Sequence, residues 1–140
     1  MPYGNGSKML LWIAGSALLL MTVYSEAQVP PVGPKPMQCK DFPVPIYPSH
    51  TSQFCESKAG PPLNQTAYIE TVDSVEKVVA FYKTKVQSSG WTVDPMEVED
   101  PTRAVVSMKK GKGYANAVIN AKMTGKGSRI QIHAYPNGNE

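Results

Sequence analysis

The sequence holds only two cysteines and two histidines in 140 residues, too few for a Cys/His zinc module or a multi-bridge cysteine framework. It carries no strong excess of either charge: 14 Lys+Arg stand against 11 Asp+Glu, a formal net charge of +3. That excludes the block charge of a nucleic-acid-binding arm or an acidic tail. Neither a G-x-S-x-G nor a P-loop pattern occurs, which removes the usual signatures of a nucleophile elbow and a phosphate-cradling loop. The two histidines, His50 and His133, stand in no recognised catalytic sequence, and nucleophilic catalysis needs a base in reach of its hydroxyl or thiol. Hydrophobic residues still make up 41% of the chain, enough to build a core and to exclude wholesale disorder.

What is present begins with an address. Met9 to Tyr24 runs without a charge after the single cation Lys8. As a helix it would span about 24 Å, short of the roughly 30 Å hydrocarbon core. Ser25-Glu26-Ala27 then puts small residues at the two positions a signal peptidase inspects. Residues 1–27 therefore read as a cleavable secretory signal, with cleavage after Ala27. The alternative is an uncleaved membrane anchor, for which Trp12 and Tyr24 would suit the interface belts. No basic stop-transfer cluster follows, the next cation being Lys35. Residues 28–48 are read as a proline-rich linker, with seven prolines from Pro30 to Pro48 holding the backbone extended and semi-rigid. Residues 49–140 then form one small domain.

Cys39 and Cys55 bracket the end of that linker. In an oxidising compartment they are expected to form a disulfide, and closing a loop of this length stabilises by roughly 3 kcal/mol. Two free thiols, or a redox or metal-binding pair, are the alternatives, but no C-x-x-C spacing or histidine pair supports the last.

One helix is expected over about 74–89. Asp73 and Glu76 have capping-box spacing. Val75, Val78, Val79, Tyr82 and Val86 form a single apolar stripe. Gly90 stands where a left-handed cap belongs, with Trp91 just beyond to fold back on the last turn. Before the helix, 65–72 is strand-like, and 52–58 more weakly so. After it the period changes to two. Ala104, Val106 and Met108, then Ala115, Ala117, Ile119, Ala121 and Met123, then Ile130, Ile132 and Ala134 form the apolar sets of three strands. Two-residue turns at Gly111-Lys112 and Gly125-Lys126 would oppose Met108 to Ala115 and Ile119 to Ile132. The fold class expected is α+β: one amphipathic helix packed on an antiparallel sheet of about five strands, in the order ββαββββ.

Val44-Pro45-Ile46-Tyr47-Pro48, the helix from Asp73 to Tyr82 and the Gly90-Trp91 exit resemble a small α+β domain found in bacterial secreted proteins and lipoproteins. The likeness covers about residues 43–136. It implies export and this fold, and it brings no catalytic residue.

The acidic cluster Asp94, Glu97, Glu99 and Asp100 lacks the glycine-centred spacing of a calcium loop and reads as a solvated turn. No metal or other cofactor and no catalytic residue is expected. One constellation remains. If the apolar sets face a core, the opposite sheet face carries Arg103, Lys109, Tyr114, Asn116, Asn120, Lys122, Arg129, Gln131, His133 and Tyr135. The assumed turns would set Asn116 opposite Tyr135, Asn120 opposite Gln131 and Lys122 opposite Arg129. That last like-charge pair would cost stability and favour an anion. The face is the candidate partner-binding surface, for an envelope protein, a glycan or an anionic surface. No specific nucleic acid is expected, and a membrane only if the N-terminal segment is retained. A plain solvated face is the competing reading. The function expected is an exported, non-enzymatic domain that binds a partner or serves as a subunit of a cell-envelope assembly. The alternative is a membrane-tethered accessory subunit of a larger complex.

Overall fold

A computed structural model describes residues 33–94 and 98–138. The N-terminal apolar segment and its expected cleavage site lie outside the described residues. Along the chain come β1 (Lys35–Met37), a 3-10 turn (Cys39–Asp41), β2 (His50–Lys58), β3 (Asn64–Thr71), α1 (Val75–Ser88), β4 (Thr92–Val93), β5 (Val98–Asp100), β6 (Arg103–Lys110), β7 (Gly113–Ala121) and β8 (Ser128–Tyr135). The α+β class holds, with one α-helix among the described residues against a sheet larger than the five strands expected. Eight strands pair in the order β1-β2-β3-β8-β7-β6-β4, with β5 also on β6. Every pairing is antiparallel. The extra strands β1, β4 and β5 have three, two and three residues, too few to show an alternating pattern.

Helix α1 forms where its stripe predicts, and Val75, Val78, Val79, Tyr82 and Val86 are all buried. Its start differs by one residue from the capping box expected. Ser74 is the N-cap, its hydroxyl accepting from the Lys77 amide at 3.3 Å. Asp73 is already committed: its carboxylate accepts from the Tyr47 hydroxyl and the Lys77 ammonium, each at 2.7 Å. At the other end Gly90 takes φ +83°, its amide bonds to the Gln87 carbonyl, and the Trp91 amide bonds to the Val86 carbonyl. This is a Schellman cap, and it turns Trp91 back into the core.

The inner sheet face meets α1 on β4, β6 and β7, and small residues line it. Ala67, Ala104, Ala115, Ala117 and Ala134 are buried among Ile69, Val106, Met108, Ile119, Ile130 and Ile132. Small side chains at the centre let the helix approach while the larger ones fill the flanks. Tyr82 lies wholly buried there. Its hydroxyl sits beside the Tyr47 backbone without hydrogen-bond geometry.

The proline-rich stretch departs from the linker reading. Residues 35–37 pair with β2, and Phe42, Val44 and Tyr47 are buried in the core. The Trp91 indole donates to the Pro43 carbonyl at 3.0 Å, and Tyr47 meets Phe81 edge to face at 5.1 Å. Extended proline geometry suits a short edge strand and a strap lying beside the helix. A disulfide joins Cys39 to Cys55, as the spacing predicts, and ties this strap to β2.

The β6–β7 turn is the two-residue Gly111-Lys112 hairpin expected, with Met108 opposite Ala115 and Val106 opposite Ala117. The β7–β8 connection is longer. The Lys122 amide bonds to the Gly127 carbonyl and the Gly125 amide to the Lys122 carbonyl, so the loop proper is Met123 to Lys126. The pairing shifts by two residues, to Ile119 with Ile130 and Ala117 with Ile132. A shift of two keeps every side chain on its expected face, but it changes every partner. Ala121 and Met123, expected in the apolar set, are exposed in consequence.

Candidate functional site: the open face of the sheet

Nine of the ten surface residues singled out from the sequence lie on the outward face of β6, β7 and β8, and Lys122 lies just past the end of β7. All ten are half-buried or exposed. Strand β3 sits beside β8 and carries β2 with it, so this face is wider than the sequence suggests. The registers arrange it in four transverse rows. Ser52, Glu70, Arg129, Asn120 and Arg103 form the first, and Phe54, Tyr68, Gln131, Val118 and Val105 the second. Glu56, Thr66, His133, Asn116 and Ser107 form the third. The fourth holds Tyr135, Tyr114 and Lys109, with Asn64 donating from its side chain to the Tyr135 hydroxyl at 3.4 Å.

The expected pairs on this face are corrected by the longer β7–β8 loop. Asn116 lies opposite His133 rather than Tyr135, and Asn120 opposite Arg129 rather than Gln131. Lys122 and Arg129 do not face one another as a destabilising pair. Both reach Glu70 of β3: Lys122 Nζ lies 3.1 Å from Oε2, and Arg129 Nε 2.9 Å from Oε1. Hydrogen bonds from Lys122 first and Arg129 second hold the Glu70 carboxyl below its ordinary pKa. Lys109 is likewise bridged, at 2.9 Å, to Asp94. Three cations that suggested an anionic ligand thus already have carboxylate partners.

Aromatic residues distinguish the face from an ordinary wet one. Phe54 and Tyr68 are 47% and 40% exposed, and their rings stack with centroids 6.2 Å apart. The Tyr68 hydroxyl donates to Glu56 at 3.2 Å. Tyr114 and Tyr135 stack at 4.6 Å. A groove of about 330 Å³ opens beside Tyr68, lined by Glu70, Asn120, Lys122, Met123, Arg129 and Gln131 among others. Phe54, Tyr68 and Glu70 were not among the sequence-derived candidates. Their outward alternation with Cys55, Ala67 and Ile69 is legible, but no sequence signal brings β3 next to β8. A second groove, also about 330 Å³, runs between α1 and the β5–β6 end, over Val75, Val79, Pro101 and Ala104.

The histidines do not combine. His50 Nδ1 contacts the Tyr47 carbonyl at 2.7 Å, while His133 Nδ1 contacts Thr66 Oγ1 at 3.3 Å on the outer face. Among the described residues no three His, Cys, Asp or Glu side chains come together. Of the acidic cluster, Asp94 serves Lys109 and Asp100 accepts from the Thr102 amide at 2.6 Å.

Fold and site together define an α+β domain with, among the described residues, one α-helix, and with a sheet covered on one face and open on the other. A family model described as START domain-like matches residues 52–132, from β2 into β8, and the chain belongs to this family. No curated protein and no solved structure matches it.

Proposed function

We propose that this protein is an exported, non-enzymatic binding domain that takes its partner on the open face of the sheet, alone or as a subunit of a cell-envelope assembly. The observation that carries this reading is the exposed, stacked pair Phe54–Tyr68 beside the groove over Glu70, Lys122 and Arg129. Large aromatic side chains kept in water at 47% and 40% exposure cost hydrophobic free energy that a bound partner recovers. Membership of the START domain-like family supports ligand binding. The disulfide and the N-terminal apolar segment ending in Ser25-Glu26-Ala27 support export, as does the likeness to small domains of bacterial secreted proteins and lipoproteins. Among the described residues no helix is long and apolar enough to cross a membrane. The second reading, a tethered accessory subunit, rests on the same N-terminal segment if it is retained.

Affinity capture from the native envelope tests the binding reading, with wild type and Tyr68→Lys as parallel baits. The expected result is a component retained by wild type and lost with the variant while the fold, read by circular dichroism, is unchanged. Equal capture by both baits sinks it. The mass of the protein isolated from that envelope separates a cleaved secreted form from a tethered one.

A further inference from the structure

We infer that the ligand of the open face is an uncharged glycan chain lying obliquely across the sheet from Tyr68 to Tyr114, an inference that rests on the binding reading above. The argument starts from how the apolar groups are distributed. The Phe54–Tyr68 pair lies on β2 and β3, and the Tyr114–Tyr135 pair on β7 and β8, two rows further along the strands. At about 3.3 Å per residue and about 4.8 Å per strand, the two pairs are roughly 16 Å apart. Between them the face is polar and hydrogen-bonding: Gln131 separates Tyr68 from the half-buried Val118, and the next row brings His133 and Asn116.

A docking site for a folded protein has a contiguous apolar centre inside a polar rim. Here two aromatic islands are separated by amides and an imidazole. A pyranose chain has the matching chemistry, because the ring faces present C–H groups to aromatic rings while the ring edges present hydroxyls that both donate and accept. Amide side chains answer those hydroxyls with a donor and an acceptor each. Charge complementarity selects the uncharged class. Lys122 and Arg129 are held by Glu70, and Lys109 by Asp94, so a carboxylated or sulfated polymer would have to break existing ion pairs to gain new ones.

Isothermal titration of the disulfide-bonded protein with cellohexaose and with fully N-acetylated chitohexaose, at low and high salt, tests this, with heparin as the anionic comparison. The expected result is saturable binding of an uncharged hexasaccharide that salt does not weaken. Tyr68→Ala and Tyr114→Ala, each shown to keep its thermal transition, should weaken it roughly tenfold, as loss of one aromatic stacking contact does. Tyr68 is partly exposed, so its variant stays informative even if Tyr114→Ala proves unstable. Three results overturn the inference. They are no binding of either hexasaccharide, binding of heparin alone with strong salt dependence, or self-association at a Tyr68-dependent face. If none of the sugars binds but envelope capture still distinguishes wild type from Tyr68→Lys, the binding reading stands and only the ligand class falls.

Discussion

Glu70 shows how one side chain can reverse the meaning of a surface. Without it, Lys122 and Arg129 are an unsatisfied basic patch; with it, they are the two arms of an ion-paired cluster. Its carboxyl is held below the ordinary value, so the stability it contributes is complete at and above the usual carboxylate range and is lost as pH falls through the lowered pKa. Glu70→Gln should therefore be less stable than wild type at neutral pH, with the difference closing in acid. Urea titrations across that range check the sign. Reversing Lys122 and Arg129 together to Glu would leave three carboxylates in one cluster and should destabilise the fold. Tyr82 gives the opposite kind of prediction. Its buried hydroxyl lacks a partner, and an unsatisfied buried polar atom costs about 1–3 kcal/mol. Tyr82→Phe should hold or raise the urea midpoint, whereas Val78→Ala, which opens space in the same fully buried layer, should lose about 1–3 kcal/mol. Gly127 has φ +87°, and a Cβ there would lie 2.1 Å from the Thr71 carbonyl oxygen. Gly127→Ala should cost at least about 1–3 kcal/mol and loosen the β7–β8 loop, read as faster amide exchange at Lys122.

At the scale of elements, the strap and the loops decide most. The disulfide fastens the 3-10 turn to β2 across a sequence separation of 16, and cross-linking a loop of that size stabilises by roughly 3 kcal/mol. Denatured, unreduced protein should titrate no thiol, and Cys39→Ser with Cys55→Ser should lower the unfolding free energy by about that amount. Helix α1, its Gly90 cap, the β6–β7 turn and the inward sets of β6, β8 and, apart from Ala121 and Met123, β7 are legible in the sequence, because each follows from spacing within a short window. The first β-hairpin, β2 with β3, is half legible: the two segments read as strands, but nothing in the sequence sets their outward Phe54, Tyr68 and Glu70 beside β8. The strap is not legible, because proline density signals extended backbone equally well for a free spacer and for a chain pinned by Phe42, Val44 and Tyr47. The β7–β8 register failed by two because Gly125 and Gly127 both adopt positive φ, and glycine spacing alone does not choose between a two- and a four-residue loop. Since parity survived, nine of the ten candidate surface residues kept their face while losing some of their neighbours, and Lys122 falls just past the end of β7.

For the whole molecule the decisive fact is the strand order, which no local pattern encodes. Strand β8 lies between β3 and β7, and its pairing with β3 sets Gln65 against Ala134 and Thr71 against Ser128. Amide exchange should be slowest along β3, β8 and β7 and fastest in β1, whose three residues hold one edge, because local opening starts where few contacts resist it. The same order has a consequence for how the protein is made. While a ribosome is still extending the chain, β2–β3 emerges as a hairpin with one flank unsatisfied, and β6–β7 follows as a second. Neither can join the other until β8, which follows both in the chain, arrives to bridge them and unite the sheet. Such distant pairing slows folding, and until it is made two open strand edges stand exposed to neighbouring chains. Nascent chains whose β8 has not yet emerged from the ribosome should be digested readily by protease, and chains with β8 emerged through Tyr135 should turn resistant.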